Sequence, residues 1–467
     1  MFFAVAGASS LATAGCGAPP PAAANVDLPI GGGIAATSSS TDSWPTFAFD
    51  NLRQGLNPAV TNLTPSTVST LSLRWQRDLN DAIFSSPVIY AGNMIVVTQG
   101  LTPAGSIVYD LSTADGHTIW KYVMHSRAKM TPAIDPDAGM VFVGTDPRVR
   151  QDPSSVVALR LLDGGLLWSQ SLDAIVRGPL LVADGTLYVG RAGGDEPVCS
   201  QGGISAFDEI GGDLKWRWSV DPNPKEGGSV WGAISYQGGH LIFGTGNTCQ
   251  SPVPTANGAV ALDQNGSVDW NMTAVKHSYD DADTGGGVMR FQGRVYFISK
   301  NGDFYALNAA TGQTAWRTEL NPTLPGQWQG GFASPTTDGT AIVVGSGLYA
   351  GSTPGSGGEF CLLDSAKPDE VFAGYHSELK ALNLSGTVLW TRTMQNRLVG
   401  YVALVPGIGF AGLNKSFVAL DLRDGKTLWS YATPDYINAS MVVVPSGVYG
   451  ADEGGNVYAF AIASRRR

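Results

Sequence analysis

Apolar and polar residues alternate in short runs along most of this chain, and a turn and a tryptophan follow each run. In the run 417–421 (FVALD), successive side chains point to opposite faces, as they do in a strand. A Gly- or Asn-containing turn comes next, and the phrase ends on Trp two or three residues later. Eight tryptophans end such a phrase: Trp75, Trp120, Trp168, Trp216, Trp270, Trp316, Trp390 and Trp429.

The spacing of these tryptophans predicts the architecture. Most intervals are 45 to 54 residues, with one of 39 and one of 74 that we interpret as a loop insertion. This period is typical of a propeller with four-stranded blades. The last phrase, 457–460, has a strand but no Trp, whereas the first, 73–75, has a Trp but no preceding strand. We therefore predict an all-β, eight-bladed β-propeller over residues 44–462, closed by N- and C-terminal strands that share one blade.

The composition agrees with many tight turns, and the net charge argues against one class of binding partner. The 467 residues include 60 glycines, and only 15% are charged. The net charge of −10 argues against a nucleic-acid partner, because phosphate binding needs a basic surface. Instead of several ordinary domains, a repeat over nearly the whole chain indicates one radial array.

The N-terminal residues have the character of an export signal. Residues 1–15 are small and apolar and precede Cys16, and the segment resembles a bacterial lipoprotein signal with a lipid-acceptor box at 11–16 (LATAGC). Thr13 departs from the Leu that this box prefers, and an ordinary export signal in which Cys16 has no special role is the alternative. We expect a lipid anchor at Cys16, a flexible tether over 16–43, and a location in the periplasm or at the outer cell surface.

Three further cysteines suit an oxidising compartment. Cys199 and Cys249 fall in corresponding loops of successive blades, so we predict a disulfide between them. Cys361 is then left over, although it remains a possible partner of either. Two cysteines never lie close enough for a CxxC zinc or CxxCH haem motif.

The phrase V-A-L-D-x-x-T-G-x-x-x-W resembles the repeat of the pyrroloquinoline quinone (PQQ) propeller family. That family contains PQQ- and calcium-dependent alcohol dehydrogenases as well as cofactor-free lipoproteins such as the outer-membrane protein assembly factor. The resemblance covers residues from about 44 to 460. Its repeat motif is specific for the fold and separates the two functions poorly.

The dehydrogenase side of the resemblance implies a set of site residues. Trp231 would be the floor under the PQQ ring, and Asn247, in the sequence GTGN, would be a calcium ligand with Glu196. Asp195 is a possible substitute for Glu196. Asp281 would be the catalytic base that takes the alcohol proton. The two remaining residues are cations near the quinone: Lys300 at its oxygens and Arg127 at a PQQ carboxylate.

Two hypotheses about function follow. The first is an exported dehydrogenase that oxidises an alcohol or sugar with PQQ and Ca²⁺ and passes electrons to an external acceptor. The second is a cofactor-free, lipid-anchored propeller that binds envelope proteins. The acidic and aromatic residues above favour the first hypothesis. The lipoprotein box favours the second, as does the lack of the adjacent Cys-Cys pair that many such dehydrogenases carry, where this chain has residues 125–129 (HSRAK).

Overall fold

Eight antiparallel sheets account for nearly all the regular structure of the described residues in the computed structural model. The structure describes residues 41–101, 105–146, 154–193, 200–223, 227–249, 253–274, 283–321, 329–330, 333–349, 375–394, 398 and 400–462. All of these residues belong to one compact unit. The predicted all-β, eight-bladed propeller is confirmed.

The strands follow one another in blades numbered along the chain. Two strands come first, β1 (Ser43–Trp44) and β2 (Leu71–Asp78), with a 3-10 helix (Val68–Thr70) before β2. The first four blades are, in order, blade 1 with β3 (Val88–Tyr90), β4 (Asn93–Val97), β5 (Ile107–Ser112) and β6 (Thr118–Val123); blade 2 with β7 (Ala133–Asp135), β8 (Met140–Gly144), β9 (Ser154–Arg160) and β10 (Leu166–Leu172); blade 3 with β11 (Leu181–Ala183), β12 (Thr186–Arg191), β13 (Gly203–Asp208) and β14 (Leu214–Ser219); and blade 4 with β15 (Ser235–Gln237), β16 (His240–Thr245), β17 (Gly258–Asp263) and β18 (Val268–Thr273).

The other four blades repeat this order. They are blade 5 with β19 (Met289–Phe291), β20 (Arg294–Ile298), β21 (Asp303–Asn308) and β22 (Thr314–Glu319); blade 6 with β23 (Gln329–Gly330), β24 (Thr336–Thr337), β25 (Ile342–Tyr349), β26 (Tyr375–Leu382) and β27 (Val388–Met394); blade 7 with β28 (Ala403–Val405), β29 (Ile408–Leu413), β30 (Ser416–Asp421) and β31 (Thr427–Ala432); and blade 8 with β32 (Val442–Val444), β33 (Gly447–Ala451) and β34 (Asn456–Ile462).

Blade 8 is completed by a strand from the other end of the chain. Its sheet order is β2-β34-β33-β32, and the pairing runs from Leu71 opposite Ile462 to Asp78 opposite Asn456. The predicted sharing of one blade by the two ends is therefore correct. Because this pairing satisfies what would otherwise be open sheet edges, it closes the ring.

Each repeat tryptophan joins its blade to the next one. Its indole Nε1 donates a hydrogen bond of 2.7 to 3.1 Å to a backbone carbonyl there; the pairs are Trp75–Thr113, Trp120–Leu161, Trp168–Glu209, Trp216–Gln264, Trp270–Ala309, Trp316–Leu384, Trp390–Leu422 and Trp429–Leu71. For seven of the eight, all but Trp429, the ring also lies on the turn glycine of the next blade. At Gly425, with φ +71°, an added Cβ would come within 2.8 Å of the Trp390 ring. The repeat therefore encodes both the blade and its contact with the next.

The segment 44–57, which we call the plug, fills the axis of the ring. Its backbone and side chains form hydrogen bonds with the inner strands of blades 2 to 8, at Ile134, Val182, Tyr236, Arg290, Thr337, Leu404 and Val443. Arg53 is fully buried at its centre, and its guanidinium donates to the carbonyls of Ile234 and Leu180. Loss of solvation lowers the pKa of Arg53 to about 10, so the guanidinium stays charged at neutral pH.

Candidate functional site

The candidate site lies where the inner strands begin, on the side of the plug toward which Arg53 points. The connections that enter the inner strands converge here around the axis. Between several blades, a hydroxyl accepts a hydrogen bond from a neighbouring backbone N–H, as in Ser86 N–H to Thr131 Oγ1 at 3.2 Å and Ser440 N–H to Ser86 Oγ at 2.9 Å. Tyr401 N–H donates to Ser440 Oγ at 2.8 Å in the same way. These bonds hold the entrance segments in a fixed ring.

Trp231 and its neighbours occupy the blade 4 and blade 5 part of this ring. Trp231 is half-buried and stands four residues before β15. Its indole occupies the place of a missing side chain at Gly285, where an added Cβ would come within 1.9 Å of the ring. The Lys300 ammonium lies 5.3 Å from the ring centroid, which is within cation–π range. Two residues predicted to act together at the cofactor are therefore in contact.

Asp283 connects this pair to a third predicted residue. Its Oδ2 is 3.1 Å from Lys300 Nζ, and its Oδ1 accepts a hydrogen bond of 2.6 Å from the backbone N–H of Asn247. The Lys300 and Asp283 side chains are only 5% and 12% exposed. Sequence reasoning missed this role of Asp283. A signal was available, because Asp283 lies two residues after Asp281 and is separated from the glycine run 285–287 by Thr284 alone.

Of the other residues predicted at the cofactor and metal, the structure describes only Arg127. Arg127 is half-buried in the connection between blades 1 and 2, and its backbone carbonyl accepts a hydrogen bond of 2.8 Å from Asp146 N–H. Asp146 in turn lies 3.5 Å from Nε of Arg177, in blade 3. Glu196, Asp281, Cys199 and Cys16 lie outside the described residues, so their predicted roles stay predictions.

Cys249 is disulfide-bonded, and its partner lies outside the described residues. The pairing with Cys199 therefore stays a prediction. Within the described ranges there is no group of three or more His, Cys, Asp or Glu side chains that could hold a metal ion. In that same part of the chain, no helix is long and apolar enough to cross a bilayer.

A family model described as "Outer membrane protein assembly factor BamB" matches residues 106–344, 256–367 and 375–467, well over half of the chain. The chain belongs to the PQQ-repeat propeller family. The family predicted from the repeat is thereby confirmed. Membership establishes the propeller and leaves the choice between dehydrogenase and assembly factor open, because relatives of both kinds are found.

Curated relatives are similar over only part of their length. A quinohemoprotein alcohol dehydrogenase of Comamonas testosteroni is 26% identical over 47% of this chain and 31% of that protein. Another, ADH IIB of Pseudomonas putida, is 25% identical over 46% of this chain and 35% of its own length. The outer membrane protein assembly factor BamB of Yersinia pestis is 23% identical over 59% of this chain and 54% of that protein. The chain thus spans about a third of the dehydrogenases and about half of the assembly factor.

Solved structures with the same fold include both kinds of protein. The quinohemoprotein alcohol dehydrogenase ADHIIG of Pseudomonas putida superposes with a TM-score of 0.75 at 16% identity, covering 91% of this chain and 81% of that one. BamB of Moraxella catarrhalis superposes with a TM-score of 0.57 at 16% identity, covering 85% of this chain and 99% of that one. At these identities the likeness concerns the fold alone.

Proposed function

We propose that this chain is an exported PQQ- and calcium-dependent quinoprotein dehydrogenase that oxidises an alcohol or a sugar. The observation that carries the proposal is the half-buried Trp231 indole, with the Lys300 ammonium 5.3 Å from its centroid, where the inner strands begin. The similarity to quinohemoprotein alcohol dehydrogenases supports it.

The residues present suit the cofactor. A flat indole offers a stacking surface for a planar quinone, and Gly285 leaves the space in which that indole lies. Lys300 supplies a positive charge beside this surface, and Arg127 would pair with a cofactor carboxylate. The amide oxygen of Asn247 is a ligand type that Ca²⁺ prefers, and Glu196 would add a carboxylate.

The site residues have distinct roles in the proposed reaction. A quinone held by Trp231, Lys300 and Arg127 would supply the acceptor for the hydride that leaves the alcohol carbon. Asp281 takes the hydroxyl proton, so that the alcohol becomes a carbonyl compound as the C–H and O–H bonds break. Lys300 would stabilise negative charge on the quinone oxygens by Coulomb attraction, which is strong in a poorly solvated site. An external acceptor then removes the two electrons, and Cys16 would hold the protein at the membrane surface.

A specific observation also favours the second candidate function, a cofactor-free propeller that binds envelope proteins. Lys300 is already neutralised by Asp283 at 3.1 Å, which is what a site that holds its charges in internal pairs would show. The BamB family model and the similarity to BamB of Yersinia pestis support this candidate. In this case Trp231 and Lys300 are structural, and the protein would act through its surface.

Cofactor binding separates the two candidates. Purified protein is mixed with PQQ and Ca²⁺, and tryptophan quenching and dye-linked oxidation of an alcohol and sugar panel are followed. We expect saturable quenching that Trp231→Ala abolishes, together with dye reduction. Asp281→Asn should stop turnover and spare binding. If the wild type shows neither quenching nor dye reduction, the dehydrogenase proposal is refuted and the scaffold function remains.

A further inference from the structure

We propose that Asp283 is a positioning residue that holds the Lys300 ammonium over the Trp231 ring and ties both to the Asn247 connection of blade 4. Asp283 lies in the segment that enters blade 5, and Lys300 follows β20 of the same blade. Asn247 follows β16 of blade 4. One buried carboxylate therefore links two connections of one blade and one connection of its neighbour.

The contacts fix both partners of the carboxylate. Lys300 is held twice, since its ammonium lies 3.1 Å from Asp283 Oδ2 and its backbone N–H donates to the Asp283 carbonyl at 2.9 Å. The Asn247 N–H donates to the other carboxylate oxygen at 2.6 Å. A lysine side chain otherwise has many rotamers, so a two-point attachment selects the one that points over the indole.

The neighbouring glycine makes room for the carboxylate. An added Cβ at Gly246 would come within 3.0 Å of Asp283 Oδ1, so the small residue in the sequence GTGN allows this approach. The run 283–285 combines the two features, because Asp283 holds the cation and Gly285 leaves space for the indole. Aromatic surface and cation are thus assembled before any ligand arrives.

The functional consequence rests on the proposed function. A quinone that stacks on Trp231 would meet an ammonium already in place, so little entropy is lost in ordering Lys300 on binding. Without the Asp283 carboxylate, ordering Lys300 on binding would cost side-chain entropy, so we expect PQQ to bind about ten- to thirtyfold more weakly.

The first arm of the test uses the protein without cofactor. Lys300 labelling by an amine reagent at fixed pH is followed by peptide mass spectrometry, and Trp231 emission is taken as the difference between proteins with and without Trp231→Phe. We expect Asp283→Asn to raise the Lys300 labelling rate about fivefold or more and to shift the emission, since an ammonium so near an indole perturbs it. Asp283→Glu, which keeps the charge, should restore both in part.

A matched ion pair in blade 6 provides the control. Lys380 Nζ lies 2.8 Å from Glu378 Oε2, and these side chains are 10% and 22% exposed. Glu378→Gln should raise labelling of Lys380 and leave Lys300 unchanged. If Asp283→Asn folds and Lys300 labelling and Trp231 emission stay at wild-type values, the inference is wrong.

Two provisions keep the outcome decisive. If Asp283→Asn does not fold, Gly246→Ala takes its place, because the new methyl crowds Asp283 Oδ1, and unchanged labelling in that variant would equally overturn the inference. The second arm measures PQQ affinity in the presence of Ca²⁺. If the wild type binds no PQQ, the proposed function is refuted, and the first arm still tests whether Asp283 positions Lys300. If wild type and Asp283→Asn bind PQQ with equal affinity, only the functional consequence is refuted.

Discussion

Asp110 replaces an alanine that the other blades place opposite the repeat tryptophan. In seven blades the cross-strand partner of that Trp is alanine: Ala158, Ala206, Ala261, Ala306, Ala381, Ala419 and Ala459. In blade 1 the partner of Trp120 is Asp110, which is 1% exposed. Its Oδ1 has no hydrogen-bond partner in the part of the chain that the structure describes. We predict that Asp110→Ala stabilises the protein above neutral pH.

The magnitude follows from the pKa of this carboxyl. Burial raises the pKa of Asp110 from 3.8 to about 7, against smaller opposing effects of a Met94 backbone hydrogen bond and of His117. The folded protein therefore keeps a proton that the unfolded chain loses, and stability falls as pH rises from about 4 to about 7. A shift of roughly three units at about 1.4 kcal/mol each corresponds to at most roughly 4 kcal/mol above pH 7. Since the smaller Ala leaves a small void, we expect a net gain of about 2–3 kcal/mol.

Chemical denaturation at pH 4.5 and pH 8 measures this difference. Asp110→Ala should unfold at higher denaturant concentration than wild type at pH 8, and the two proteins should converge at pH 4.5. Asp110→Asn keeps the volume and removes the charge, so it should show the same pH trend. Exposed Asp115 in the same blade is the control, because its pKa is lowered by His117 and its replacement should bring no gain at pH 8. An equal effect of Asp110→Ala at both pH values, or no gain at pH 8, would refute the reasoning.

Other expectations concern the Glu209 carboxyl, the docked tryptophans and the disulfide. Burial raises the pKa of Glu209 to about 8, so Glu209→Gln should be stabilising at pH 9 and should lose that advantage as pH falls toward 4.5; equal denaturation midpoints at pH 9 would contradict this. Gly425→Ala should lower the free energy of unfolding by about 2–4 kcal/mol, because the new Cβ would lie 2.8 Å from the docked indole and φ is +71°. Gly139→Ala is the control in the same denaturation assay, and it should cost about 1 kcal/mol because nothing lies within 4 Å of its Cβ. Peptide mapping without reduction should recover Cys199 linked to Cys249, and Cys199 recovered as a free thiol would refute that pairing.

Much of the architecture was predictable because its signals are local. Each blade repeats a short alternating run, a glycine turn and a tryptophan, and the contact of Trp390 with Gly425 in the next blade uses residues of that repeat alone. Even the ring closure was readable, because the strand at 457–460 lacks a Trp and the phrase that ends at Trp75 lacks a strand.

The candidate site was predictable only in part. The contact between Trp231 and Lys300 could be expected from the family resemblance, and the structure places both residues at one end of the axis. Asp283 was missed because a carboxylate in a connecting segment has the same local sequence whether it is solvated or buried. Its burial depends on Asn247 and Lys300, which belong to connections of two different blades.

The sequence by itself determined the repeat, the number of blades and the shared closing blade, because turn chemistry and the two-residue strand period act over a few neighbouring residues. Only the tertiary structure decided that residues 44–57 fill the axis with Arg53 at their centre, and that Gly285 leaves its space to an indole from the neighbouring blade. Such contacts join segments far apart in the chain. Their energies arise from desolvation, hydrogen bonding and steric fit at close range, and these quantities exist only once the ring has formed.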